Sequence, residues 1–167
     1  MKRLIIISIL LFEVLEISAQ CEKIFNYSDS IFELESIRYL DLKIEYNRGS
    51  LKLDSTTLKE IKSLSEFISS HPKMKFDIEY HTASRGSDAF LLNFSQSLAE
   101  DVTRILIYRD HIDSLQINPV GYGRLNPLIK DDYINQLNRH QNDVEVIEEL
   151  HLLNRRFLLR IKEIKTE

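Results

Sequence analysis

One cysteine in 167 residues, Cys21, excludes an internal disulfide. Excess positive charge is missing too: 22 Lys and Arg against 26 Asp and Glu leave a net charge of -4. No global basic field is available to neutralise phosphates, so nucleic acid is not expected as a partner. Long hydrophobic runs are scarce. The longest, Leu4 to Phe12, is broken at Ser8 and followed by Glu13 and Glu16, whereas crossing a bilayer takes roughly 20 apolar residues. Internal repeats, low-complexity tracts and Pro- or Gly-rich linkers that would divide the chain are absent.

Two chemical signatures are also missing. The five histidines, His71, His81, His111, His140 and His151, include no pair at the i, i+4 spacing that puts two imidazoles on one helix face. No metal and no cofactor is therefore expected. A hydrolase cluster of His81, Thr82, Ser84 and Asp88 needs base and acid within hydrogen-bond reach of the nucleophile. Ser84 lacks the flanking glycines of a nucleophile elbow, and a hydroxyl-rich strand-to-helix loop more often caps a helix. No catalytic residue is assigned, and the chain reads as non-enzymatic.

What is present is an ordinary globular composition, 43% hydrophobic and 29% charged. Residues 1–20 read as a signal peptide, with Lys2 and Arg3 before a short apolar stretch. Cys21 at that junction is a candidate lipidation site, although Ser18-Ala19-Gln20 is a poor version of the lipobox. An exported protein is expected, in the periplasm or on the periplasmic face of the outer membrane, with membrane contact only if Cys21 is lipidated.

Periodicity then sets out the elements. Ile31 to Tyr46 carries one or two strands, and Asn47-Arg48-Gly49-Ser50 is a turn. Leu58, Ile61, Leu64, Phe67 and Ile68 recur at helical spacing, with Thr57 and Glu60 as a capping box and His71-Pro72 as the stop. Phe76, Ile78 and Tyr80 alternate with Lys75, Asp77 and Glu79, which predicts a strand with the second set facing water. A second helix follows through Leu91, Phe94, Leu98, Val102 and Ile105. Leu115, Ile117 and Val120 lead a third strand into Gly121-Tyr122-Gly123. Asp131 to Asp143 is expected to be a loop, Val144 to Leu150 a short helix, and Phe157, Leu159 and Ile161 the last strand. Strands alternating with helices in βαβαβ-type order predict an α+β fold, a mixed β-sheet with helices packed on one face.

In order, His81-Thr82-Ala83, Gly86-Ser87-Asp88, Phe94-Ser95, Leu98-Ala99, Gly121-Tyr122-Gly123, Pro127 and Asn154-Arg155-Arg156 resemble the motifs of the OmpA-like C-terminal, peptidoglycan-associating domain family. Glu148-Glu149-Leu150-His151 is similar to members with a longer loop before the arginines. The resemblance runs from about Ile44 to Ile164 and implies an OmpA-like domain over 44–167, preceded by an N-terminal strand-rich segment, 21–43. It implies peptidoglycan as partner, other envelope proteins as further partners, and a ligand turn containing Thr82, Ala83, Ser84, Leu98, Arg155 and Arg156. In the family an aspartate and an arginine hold diaminopimelate; here those positions are Ala83 and Leu98. Hydrogen bonds to charged groups contribute about 1.5 to 3 kcal/mol each, so losing both is expected to weaken binding roughly 10²- to 10⁴-fold. A protein-interaction module on the same fold is the alternative.

Overall fold

A computed structural model describes residues 22–47, 50–83, 85–141 and 144–165. The signal-peptide and lipidation expectations, residues 1–20 and Cys21, lie outside the described residues, as does Ser84. The strand-rich entry forms β1 (Ile37–Leu40) and a hairpin of β2 (Ile44–Asn47) and β3 (Ser50–Leu53), with Ile44 opposite Leu53. Then come α1 (Ser55–Ser70), β4 (Met74–His81), α2 (Asp88–Tyr108), β5 (Ile117–Gly123), α3 (Asp131–Gln141), α4 (Val144–Asn154) and β6 (Arg156–Ile164).

Four strands form one mixed sheet in the order β1-β6-β4-β5. Strand β6 is antiparallel to both neighbours, while β4 and β5 run parallel across the α2 crossover. This is the α+β arrangement expected. The segment 21–43 supplies β1 to the same sheet as the later strands. Beyond β1, Phe25 N–H donates to the Ile37 carbonyl and Ile37 N–H to that of Lys23, so the chain covers this sheet edge itself.

Helices α1 and α2 cover one face. Ile61, Leu64 and Ile68 of α1 and Leu98, Ala99, Val102 and Leu106 of α2 pack with Phe76, Ile78, Leu159 and Ile161 in the main core. Phe67 meets Phe25, Phe32 and Phe76 with ring centroids 5.5 to 5.7 Å apart. A satellite core of Ile129, Ile134 and Ile147 lies under α3 and α4.

Three expectations need correction. The cap of α1 is Asp54, whose carboxylate accepts Thr57 N–H at 2.7 Å. Thr57 is buried instead, its hydroxyl accepting Lys43 N–H at 2.8 Å and donating to the Lys43 carbonyl at 3.1 Å. Residues 131–141 are helix rather than loop. Their apolar stripe is narrow, with Ile134 its only fully buried member, but Asp131 and Asp132 sit in the first turn, where negative charge favours a helix N-terminus. Finally, Glu79 does not face water; it is fully buried.

Candidate functional site

The loop end of the sheet is where the resemblance places a ligand. Strand β4 ends at His81, and Thr82 N–H donates to the Gly123 carbonyl at 2.7 Å, tying the turn to β5. Thr82 and Ala83 are both buried, and the Thr82 hydroxyl has no partner among the described residues. Gly86 has φ 143°, a conformation that side chains disfavour, just before Ser87 caps α2 by accepting Phe90 N–H at 3.4 Å.

Further along α2, Leu91 and Leu98 are buried, and Leu98 belongs to the main core with Tyr80 and Phe157. The space next to the turn is therefore hydrocarbon. Nearby cations are engaged: Arg85 and Arg155 share one carboxylate, Glu148 on α4, at 2.7 and 3.0 Å. Those two guanidinium groups, Arg85 first, hold the Glu148 carboxyl below the usual glutamate range.

Arg156 goes elsewhere. Adjacent residues on a strand point to opposite faces, and Arg156 pairs in register with His81 on the face away from the helices. Its Nη2 donates to the Asn126 carbonyl at 2.8 Å and its Nη1 to that of Asn154 at 3.3 Å. Thr82 and Ala83 are thus buried in the turn, Arg155 is linked to Arg85 of that turn through Glu148, Leu98 is in the main core, and Arg156 lies on the open face.

His81 is also on the open face. Its ring stacks on Tyr122, centroids 4.7 Å apart and 3° from parallel. Nδ1 lies 3.2 Å from the Leu125 carbonyl, which can only accept, so Nδ1 carries the proton. Nε2 faces Glu79 Oε2 at 3.7 Å, ion-pair rather than hydrogen-bond range. Among the described residues no hydroxyl joins His81 in a relay.

Glu79 is the residue that sequence reasoning misplaced. Arg160 meets it with a two-pronged fork, Nε to Oε1 at 2.5 Å and Nη2 to Oε2 at 3.1 Å. Burial pushes the Glu79 carboxyl up, but the His81 ring and the Arg160 guanidinium outweigh it and hold the group below its ordinary value. A usable signal existed: an acid inside an otherwise core strand, with an arginine at matching parity in another strand.

Two motif residues turn out to be clamps. Buried Asn154 accepts Ile129 N–H and donates to the Ile129 carbonyl, both at 2.9 Å. Ser95 Oγ accepts Gly123 N–H and Gln96 Oε1 accepts Gly121 N–H, each at 2.8 Å, docking α2 on β5. Among the described residues no group of three or more His, Cys, Asp or Glu could hold a metal ion, and no helix is long and apolar enough to cross a membrane.

No family model matches the chain. It is 30% identical over 89 residues to outer membrane porin F of Pseudomonas aeruginosa, covering 53% of this chain and 25% of that protein. To the peptidoglycan-associated lipoprotein of Buchnera aphidicola it is 24% identical over 125 residues, covering 74% of this chain and 71% of the other. The match spans about a quarter of the length of the porins. Among solved structures, the peptidoglycan-associated lipoprotein from Burkholderia pseudomallei gives a TM-score of 0.53 at 21% identity, over 71% of this chain and 88% of that one. The periplasmic domain of Helicobacter pylori MotB gives 0.56 at 17% identity, over 80% and 86%. At such identities the structural likeness is one of fold. Together with the motifs and the sequence relatives, it makes this chain similar in fold and sequence to OmpA-like, peptidoglycan-associated lipoprotein and MotB-type domains.

Proposed function

We propose that this chain is a non-enzymatic cell-envelope module of the peptidoglycan-associating type, exported to the periplasm or the periplasmic face of the outer membrane, in which the diaminopimelate pocket has closed. The observation that carries this reading is the pair Ala83 and Leu98. Both are buried, Leu98 within the main core, where the resemblance puts an aspartate and an arginine. Names of the relatives support the ancestral role: peptidoglycan-associated lipoproteins appear among both the sequence and the structure matches. Arg85 and Arg155 are both tied to one carboxylate, Glu148 on α4, which holds their guanidinium groups there instead of in the place of the missing arginine.

Co-sedimentation with purified sacculi tests it. The unaltered chain is expected to pellet at least about a hundredfold more weakly than a domain with intact motifs. Saturable binding of equal strength overturns the reading. Ala83→Asp with Leu98→Arg is expected to raise binding, provided circular dichroism shows the variant folded, since the second change puts a guanidinium into the core.

A second reading, a protein-interaction module on the same fold, is favoured by one feature. Phe90 and Phe94 lie exposed on α2 and stack on each other 5.9 Å apart. It predicts cross-links from a photoreactive residue at position 90 in intact envelopes, and their persistence after the sacculus is digested separates the two readings.

A further inference from the structure

The face of the sheet turned away from α1 and α2 carries a groove of about 770 Å³. Its floor is Arg156, Leu158 and Arg160 of β6 with His81 of β4. The segment from Glu22 to Glu35 and the turn after Tyr122 form its walls. This volume is in the range of small-ligand sites, about 300 to 1,000 Å³. Leu98 and the main core lie on the opposite, helix-covered face, so the groove is separate from them.

Its charges are unevenly satisfied. Lys23 pairs with Glu33; Arg160 pairs with Glu79; Lys162 pairs with Glu35 at 2.7 Å. Arg156 is the exception. No carboxylate among the described residues lies within ion-pair distance of it, and its neighbours are the carbonyls of Asn126 and Asn154. Among the described residues its buried Nε has no hydrogen-bond partner, and neither has Nε2 of His81, a side chain only 4% exposed. A guanidinium cannot shed its charge by losing a proton, and a partly desolvated charge without a counter-ion is destabilising. The two carbonyls hold the fork still without neutralising it, which is the state of a group prepared for an anion.

We propose that this groove binds a monocarboxylate of about dipeptide size, with Arg156 as the anchoring charge. Among the described residues Arg156 is the groove cation with no acid in contact, Glu22 on the wall and Glu79 acting on it only from farther off, so it matches a single negative charge; a phosphate monoester, with nearly two, finds no second cation, because Arg160, Lys162 and Lys23 already have acids in contact. The rest of the ligand lies against Pro127, Leu128 and the Tyr122 ring, a surface suited to a short peptide rather than to a bare ion.

The experiment is a titration of the full ¹⁵N-labelled chain, followed by amide shifts, with N-acetyl-alanyl-alanine, its carboxamide, and inorganic phosphate. The acid is expected to give saturable shifts centred on Tyr122, Leu125, Leu128 and Arg156, with the carboxamide and phosphate weaker by about tenfold or more, the loss that follows removal of one charge-assisted hydrogen bond. Arg156→Gln is expected to weaken the acid by a similar factor and to leave the carboxamide unchanged. Equal binding of acid and carboxamide, preference for phosphate, absence of saturable shifts, or shifts centred on Arg85 and Arg155 would each overturn the proposal. The acid-against-carboxamide comparison uses the unaltered chain, so it stands even if Arg156→Gln fails to fold. Its outcome is also independent of sacculus binding by the Ala83 and Leu98 variant.

Discussion

Glu79 shows how a charge can sit inside a strand. Alternation along β4 places it with Lys75 and Asp77 on the side facing water, and by parity that is correct: all three are on the face without helices. Burial is a different matter. Where β4 carries Glu79, its open face is covered and Arg160 reaches across from β6. Removing one partner of such a pair leaves the other unpaired, which costs about 3 kcal/mol at the lower end of the range for buried pairs, Arg160 keeping some contact with water. Glu79→Gln should lower stability by about that much at neutral pH. Because the folded carboxyl is held below its unfolded value of about 4.3, its contribution is full above that pH and is lost as pH falls through the folded value. Urea midpoints of the two chains should therefore differ less at pH 3 than at pH 7; an unchanged difference would mean that the pair contributes nothing through its charge.

At the scale of elements, helix α2 and strand β5 meet more closely than side chains allow. A Cβ built on Gly121 would lie 2.2 Å from the Gln96 amide nitrogen and 2.6 Å from its Cα. Both are backbone atoms and cannot swing aside. Gly121→Ala should push the helix off the strand and destabilise the chain by about 3 kcal/mol, at the upper end for overpacking, measured by thermal or urea unfolding; a loss under about 1 kcal/mol would mean that the helix shifts without penalty. Asn154 does the equivalent work for the end of α4. Replacing it with alanine strands the N–H and carbonyl of Ile129, at a cost of about 2 kcal/mol or more. The glycines of Gly121-Tyr122-Gly123 were legible as unusual positions after a strand. Their reasons differ, and only packing separates them: Gly123 has φ 56°, whereas Gly121 is needed for proximity alone. The helix over 131–141 was not legible, because its few apolar residues, Tyr133, Ile134 and Leu137, sit among so many polar ones that the low overall hydrophobicity hid a real helical pattern.

For the molecule as a whole, stability should be uneven. The main core holds β4, β6, α1 and α2 together, while α3 and α4 rest on a satellite of three buried isoleucines. Regions with few buried apolar contacts open at lower free energy. Amide hydrogens of α3 should therefore exchange before those of β4 and α2 in native-state hydrogen exchange, and equal protection would mean that the two cores unfold as one. Local pattern alone determined the alternation of strands and helices outside residues 131–141 and the apolar faces that pair them, since each depends on residues close in sequence. Which side of the sheet Arg156 serves, that Glu148 engages Arg85 and Arg155 while Arg156 has no acid in contact among the described residues, and that Leu98 fills the core were decided by tertiary structure. Charge compensation and burial depend on groups far apart in the chain, and they acquire values only when the sheet brings those groups together.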